Sequence, residues 1–319
     1  MATASAPGKI ILFGEHAVVY GRPALAVPVL QVHAVARADL VTDKRIGEKW
    51  ADAILVEAPD IQLFSPLSHL LREPTPDPLA SVISSVFQLL GISHPPALKI
   101  TITSTIPVAS GLGSGAAVSV AVIRALAAAL GHSLSDEQVS QLAYETEKLH
   151  HGTPSGIDNT VIAYAKPVYF VRGQPIQIFS VARPFRLVIA DTGQAAPTKE
   201  SVGDVRKLWE ADQHRWEAVF DKVGKIVVAA KEAVESGEIA SLGPLMDANH
   251  ALLQEMTVSS PELDRLVLAA KAAGANGAKL SGGGRGGNMI ALVQPEKAES
   301  VASALKAAGA RNTIITTIE

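Results

Sequence analysis

Residues 101–131, TITSTIPVASGLGSGAAVSVAVIRALAAALG, constrain the fold more than any other stretch of the chain. Ile100, Ile102, Thr103, Thr105 and Ile106 form a β-branched text that predicts a strand, and Pro107 stops any sheet ladder. Gly111, Gly113 and Gly115 then make a turn, and the apolar run from Ala116 to Leu130 supports about four helical turns closed by Gly131. A strand, a glycine turn and a helix in that order make an anion cradle. The helix start offers unpaired N–H groups and about half a positive charge, and glycines let a phosphate approach them. Ser114 adds a hydroxyl at the mouth. The same text also fits a tight turn that only packs a buried helix on a sheet.

Two phosphate motifs do not apply to this loop. A P-loop requires Lys after its glycines, and none follows here. The spacing of Gly111, Gly113 and Gly115 also differs from the dinucleotide fingerprint. Residues 282–287, GGGRGG, do satisfy that fingerprint, but the apolar stretch after them reads as a strand, so no helix N-terminus would receive a pyrophosphate. Lacking a helix, this second loop can still close on phosphate through its own N–H groups, with Arg285 adding charge.

A chain of 319 residues, 48% hydrophobic, is long enough for a large core and about two domains. A net charge of -3 gives no electrostatic footprint for nucleic acid or an anionic membrane, and 4% aromatic residues disfavour base stacking. With no cysteine, thiolate metal sites, disulfides and cysteine nucleophiles are excluded. Lys9 and Glu15 interrupt the apolar part of the N-terminal stretch, unlike a signal peptide, so a soluble cytoplasmic chain is expected.

Residues 7–21, PGKIILFGEHAVVYG, place Lys9 at the start of a short buried strand and Glu15-His16 after its glycine break. A polar cleft and a surface hairpin with solvated charges both fit. Residues 42–78 carry charge clusters and prolines that predict an irregular excursion, and residues 79–90 a helix. Ser135 caps a further helix that carries Glu147 and His150, a Glu-x-x-His step without the second copy that a di-iron bundle needs. Glu147 alone suits magnesium, which takes one or two protein oxygens plus phosphates. Asp158 follows a Pro-Ser-Gly turn, where a carboxylate is either a helix cap or an acid–base group. Beyond residue 167 the text predicts a strand over 184–191, helices over 198–233, 242–256, 262–273 and 296–308, and strands before 282, after 287 and over 312–318. That pattern predicts a ferredoxin-like layer.

Taken together, PGKIILFGEHAVVYG, PVASGLGSGAA and KLSGGGRGG resemble, in order and spacing, the signatures of the GHMP small-molecule kinases. GEHAVVYG, EKLHHGTPSGIDN and DTGQAAPTKESV are similar to the mevalonate kinase branch, in its short archaeal and bacterial form. The resemblance implies an α+β, two-domain GHMP kinase fold, with an N-terminal S5-like α/β domain over 1–167 and a C-terminal ferredoxin-like domain over 168–319. It implies ATP-dependent phosphorylation of mevalonate, an isoprenoid precursor, with Mg²⁺ as the metal and a homodimer as the family expectation. Asp158 and Lys9 take the catalytic positions. Pro107, Ser110, Gly111, Leu112, Gly113, Ser114, Gly115 and Ala116 take the nucleotide loop, and Ser114 and Glu147 the metal positions. Glu15, His16, Ser155, Thr198, Gly282, Gly283 and Gly284 fall near the substrate. Gly115 departs from the pattern, because many relatives carry a second serine there. Arg285 departs as well, in a loop that is often purely small residues.

Overall fold

A computed structural model of the chain describes residues 1–41, 50–73, 75, 77–107, 110–151 and 155–319. Its elements run, in chain order, β1 (Ala2–Phe13), β2 (Ala24–Leu40), β3 (Ile54–Ala58), β4 (Leu63–Pro66), the one-turn α1 (Leu67–Leu70), α2 (Pro78–Leu89) and β5 (Leu98–Ser104). Three helices follow: α3 (Ser114–Ala129), α4 (Asp136–His151) and α5 (Ile157–Tyr164). After β6 (Val168–Phe170), β7 (Gln177–Ile178) and β8 (Phe185–Asp191) come α6 (Thr198–Ala211), α7 (Gln213–Ser236), α8 (Leu242–Glu255) and α9 (Pro261–Ala272). The chain ends with β9 (Gly277–Ser281), β10 (Asn288–Val293), α10 (Ala298–Ala307) and β11 (Asn312–Ile318).

These elements form two compact units. One comprises Met1–Gly8, Val32–Pro107 and Gly113–Ala165, the other Lys9–Gln31, Val108–Leu112 and Lys166–Glu319. The long strands β1 and β2 thus give a part of their length to each.

In the first unit the sheet order is β4-β3-β5-β2, with β3 parallel to β5 and β5 antiparallel to β2. Its helical layer is α2, α3, α4 and α5, packed on one another. Helix α3 is nearly all Ala, Val, Leu and Ile, and ten of its residues are buried, so it can sit between sheet and helices on both sides. Asp77 caps α2 through Ala80 N–H at 3.0 Å, and Ser135 with Gln138 forms a reciprocal capping box at the start of α4.

The excursion expected over 42–78 is more regular than its prolines indicate. Ile54 and Val56 are buried and Leu55 is exposed, which makes β3 a strand of period two, with β4 as its antiparallel neighbour. Residues 42–49 of that stretch lie outside the described residues. Strand β1 also begins earlier than the text around Lys9 predicts, because an edge position tolerates Pro7.

The second unit is built on a four-stranded antiparallel sheet of order β11-β8-β10-β9. A strand, helices, a β9–β10 hairpin, a helix and a last strand in this order give the ferredoxin-like layer that the sequence predicts. Helices α8, α9 and α10 pack against its strands. Helix α7 packs on the turn at Ala17–Tyr20, where the Tyr20 ring stacks on Phe220 at 4.2 Å. Among the described residues no helix is long and apolar enough to cross a membrane.

Candidate active site

In the first unit, the candidate groups lie at the ends of packed helices. Gly113 takes φ 75° as the N-cap of α3, and no side chain caps this helix start. Ser114 and Gly115 open the helix, and a Cβ placed on Gly115 would meet nothing within 4 Å. Helices α3 and α4 are both 16 residues long, pack on each other and are joined by residues 130–135, so they run antiparallel. The Ser114 end of α3 and the Glu147 end of α4 therefore share one end of the pair.

Asp158 lies in the first turn of α5, half-buried. The N-cap is Gly156, at φ 87°, so the capping reading of Asp158 does not hold. A carboxylate in a first helical turn is instead favoured by the helix dipole. Ser155 turns its hydroxyl toward the same start, accepting from Ile157 N–H at 3.3 Å. Helix α5 is fixed by Asn159, which donates to the Ser140 hydroxyl at 2.8 Å, and by Arg124, which donates to the Ala163 carbonyl at 2.5 Å.

In the second unit, residues far apart in sequence converge. Lys9, Glu15 and His16 are only 4%, 1% and 5% exposed, which removes the solvated-hairpin reading. The turn is forced by Gly14: at φ 99°, a Cβ there would lie 2.5 Å from Ala24 Cα. His16 follows at φ 60°, an uncommon value for a side-chain-bearing residue, and its Nε2 donates to the Gly283 carbonyl at 3.1 Å. Gly283 in turn abuts Thr198, whose Oγ1 would be 2.6 Å from an added Cβ. Ser281 donates to the Ile11 carbonyl at 2.8 Å, tying β9 to β1. Glu15, His16, Thr198 and Gly282–Gly284 are thus gathered around one loop.

The loop expected to hold the nucleotide is also anchored in this unit through its first residues. Leu112 accepts from the Lys9 N–H at 3.0 Å, and the Ser110 carbonyl accepts from Asn288. Pro107 and residues 113–116 belong to the first unit, with Glu147, Ser155 and Asp158. Arg285 differs from expectation. Its guanidinium pairs with Asp204 at 2.6 Å and donates to the Thr257 carbonyl at 3.2 Å, so its charge is engaged within the fold.

Sequence reading missed Lys279. It is fully buried, and its ammonium donates to Glu15 Oε1 and to the Leu280 carbonyl. The signal was available: a lone lysine within an otherwise small and apolar strand beside a glycine loop needs a partner. Burial pushes the Glu15 carboxyl up and the Lys279 ammonium down, and their mutual attraction opposes both shifts. Burial also lowers His16 to about 4, with Arg285 adding to the effect and the Gly283 carbonyl opposing it. His16 is therefore neutral at physiological pH. With Nε2 facing a carbonyl, Nε2 carries the proton and Nδ1 is an acceptor.

The N-terminal domain model of the GHMP kinases matches residues 79–166, and the C-terminal model matches residues 230–311. The mevalonate kinase of Pyrococcus furiosus is 38% identical, over 96% of this chain and 93% of its own length. This chain belongs to the GHMP kinase family. As a member it is an ATP-dependent kinase. The mevalonate kinase of Saccharolobus solfataricus is 31% identical over 93% of this chain and 91% of its own. Among solved structures, L. major mevalonate kinase in complex with R-mevalonate superposes with a TM-score of 0.83 at 28% identity, covering 100% of this chain and 96% of that one.

Proposed function

We propose that this GHMP kinase phosphorylates mevalonate, transferring the γ-phosphoryl group of ATP to the primary hydroxyl to give 5-phosphomevalonate. The observation that carries the reading is near-full-length likeness to mevalonate kinases, at 38% identity over 96% of the chain. The buried pair Glu15 and His16 beside the Gly283 loop supports it, because it offers polar groups in a water-poor place suited to a small hydroxylated acid.

Phosphoryl transfer asks a protein mainly for placement and charge neutralisation. The α3 start, with Gly111, Gly113, Ser114 and Gly115, cradles the triphosphate through its N–H groups. Asp158 accepts the proton of the attacking hydroxyl, and Lys9 polarises the attacking oxygen. Glu15, His16, Ser155 and Thr198 hold the acceptor.

Among the described residues no cluster of three or more acidic or histidine side chains could hold a metal. Mg²⁺ keeps several waters and binds through one or two protein oxygens and substrate phosphates. Ser114 and Glu147 would hold it, both hard oxygen donors at the same end of α3 and α4. When bound, the ion neutralises charge on the transferring phosphoryl group.

The reading keeps 1–167 as the N-terminal nucleotide and substrate domain and 168–319 as the C-terminal ferredoxin-like domain, in a cytoplasmic homodimer, the last point being checked by sedimentation. Its test is ATP turnover with mevalonate, phosphomevalonate, homoserine and galactose as acceptors, followed by phosphorus NMR of the product. A phosphomonoester formed from mevalonate is the expected result. Preference for phosphomevalonate, release of carbon dioxide, or nucleotide binding with no turnover on any acceptor would each overturn it.

A further inference from the structure

The Lys279 ammonium is sealed from solvent. It donates to Glu15 Oε1 and to the Leu280 carbonyl, the latter at 2.6 Å, and the Phe13 ring centroid lies 5.9 Å away. Phe13 is itself buried. A cation enclosed on these sides acts on the reaction only through the groups it touches. An apolar side chain would fill the same place without the cost of desolvating a charge.

The group it touches is one of two neighbours with a common arrangement. Glu15 gives Oε1 to Lys279, and His16 gives Nε2 to the Gly283 carbonyl. Their other polar atoms, Glu15 Oε2 and His16 Nδ1, are buried with no hydrogen-bond partner among the described residues. The N–H groups of Glu15 itself and of Gly282 lie close enough to favour the charged carboxyl, without making a hydrogen bond to Oε2. Both remaining atoms are acceptors, and both are held in direction by the bond on the opposite side of the group. Buried acceptors of this kind are completed by a ligand that donates hydrogen bonds, such as a molecule carrying hydroxyl groups.

We propose that Lys279 is a positioning residue for acceptor recognition: by fixing Glu15 Oε1 it aims Oε2, so that Oε2 and His16 Nδ1 form a preset pair of acceptors for substrate hydroxyls. The inference deepens the mevalonate reading and rests on it. Lys279 touches no substrate and contributes only through Glu15.

A double-mutant cycle on the full-length enzyme tests this, using Glu15→Gln, Lys279→Met and the double variant with steady-state kinetics for mevalonate and ATP. Lys279→Met is expected to raise KM for mevalonate about 10- to 100-fold, the range for a lost charged hydrogen bond, with KM for ATP within about twofold. In the Glu15→Gln background, Lys279→Met should change KM for mevalonate by less than about threefold, because the path through Glu15 is already cut. Multiplying effects would assign Lys279 an independent role and overturn the proposal. So would a folded Lys279→Met enzyme with unchanged KM, or one altered in kcat alone. The double variant contains no unpaired buried charge, so if Lys279→Met alone fails to fold, comparison of the double variant with Glu15→Gln gives the same reading. A double variant that also fails to fold makes Lys279 a core residue and sinks the idea. Glu15→Gln with unchanged KM for mevalonate is a different failure: it removes Glu15 from the substrate site and overturns this proposal, while the mevalonate reading, tested by turnover of mevalonate itself, stands.

Discussion

In the loop over residues 111–115, a Cβ added at Gly111 would meet its first neighbour, Asn288 Nδ2, at 3.9 Å, and one added at Gly115 would meet nothing within 4 Å. In the loop over 282–287, the same addition would lie 1.9 Å from the Val258 carbonyl oxygen at Gly284, 2.6 Å from Thr198 Oγ1 at Gly283 and 2.8 Å from the Ala195 oxygen at Gly286. Both loops are written in nearly the same letters. In the first, small residues leave space before a helix start, where a ligand can enter. In the second, Gly283, Gly284 and Gly286 pack against Thr198, Val258 and Ala195, while Gly282 alone faces open space.

The largest effect that tests this contrast belongs to the first unit, where Gly115 opens α3. Asp158→Asn should lower phosphorylation by about 10²- to 10⁴-fold, with ATP affinity by calorimetry and thermal unfolding little changed. Near-normal turnover would remove Asp158 from the mechanism. The packed loop should respond in its stability. Gly284→Ala, at φ 76° and facing a backbone oxygen, should cost at least about 3 kcal/mol or abolish the cooperative transition in urea. An alanine tolerated there would show that the loop is not held as described.

A third effect is of similar size and depends on pH. His16 is lowered to about 4 in the fold and has an ordinary value of 6.5, so the unfolded chain binds more protons between those limits. Stability is then complete above about pH 6.5 and falls by about 3 kcal/mol as pH drops toward 4. Urea melts of the enzyme and of His16→Gln across that window should differ in slope, with the variant flatter. The smallest effect is at the open loop. Gly115→Ser should raise stability by about 0.5 kcal/mol, as expected for replacing a helical glycine that has free space around it. It should also reduce the Mg²⁺ needed for half-maximal turnover; a drop in melting temperature would show that the loop is closed after all.

Much of the fold was legible because its signals are local. The alternation in β5, the apolar run of α3 and the β9–loop–β10 pattern are each set by neighbouring residues, and the strands and helix formed where the period requires. Less legible were features settled by contacts across the chain. Strands β3 and β4 pair through a segment whose prolines and charges read as irregular. Whether Glu15 and His16 face solvent depends on Gly14, which admits no side chain against Ala24. Lys279 signalled a need for a partner, but which partner was hidden, because Glu15 is 264 positions away. A period of two reports which face a strand residue takes, and carries no information on what waits there.

Residues 9–31 belong with Lys166–Glu319, and this has a practical consequence for anyone dividing the gene. A fragment begun after residue 167 would lack the β2 partner of β6 and the carboxylate that neutralises Lys279, leaving an ammonium in an apolar interior with nothing to offset it. Its rescue would require a peptide carrying the first thirty or so residues, supplied in trans. Because β1 and β2 each lend part of their length to either unit, no single cut in the chain yields both units whole.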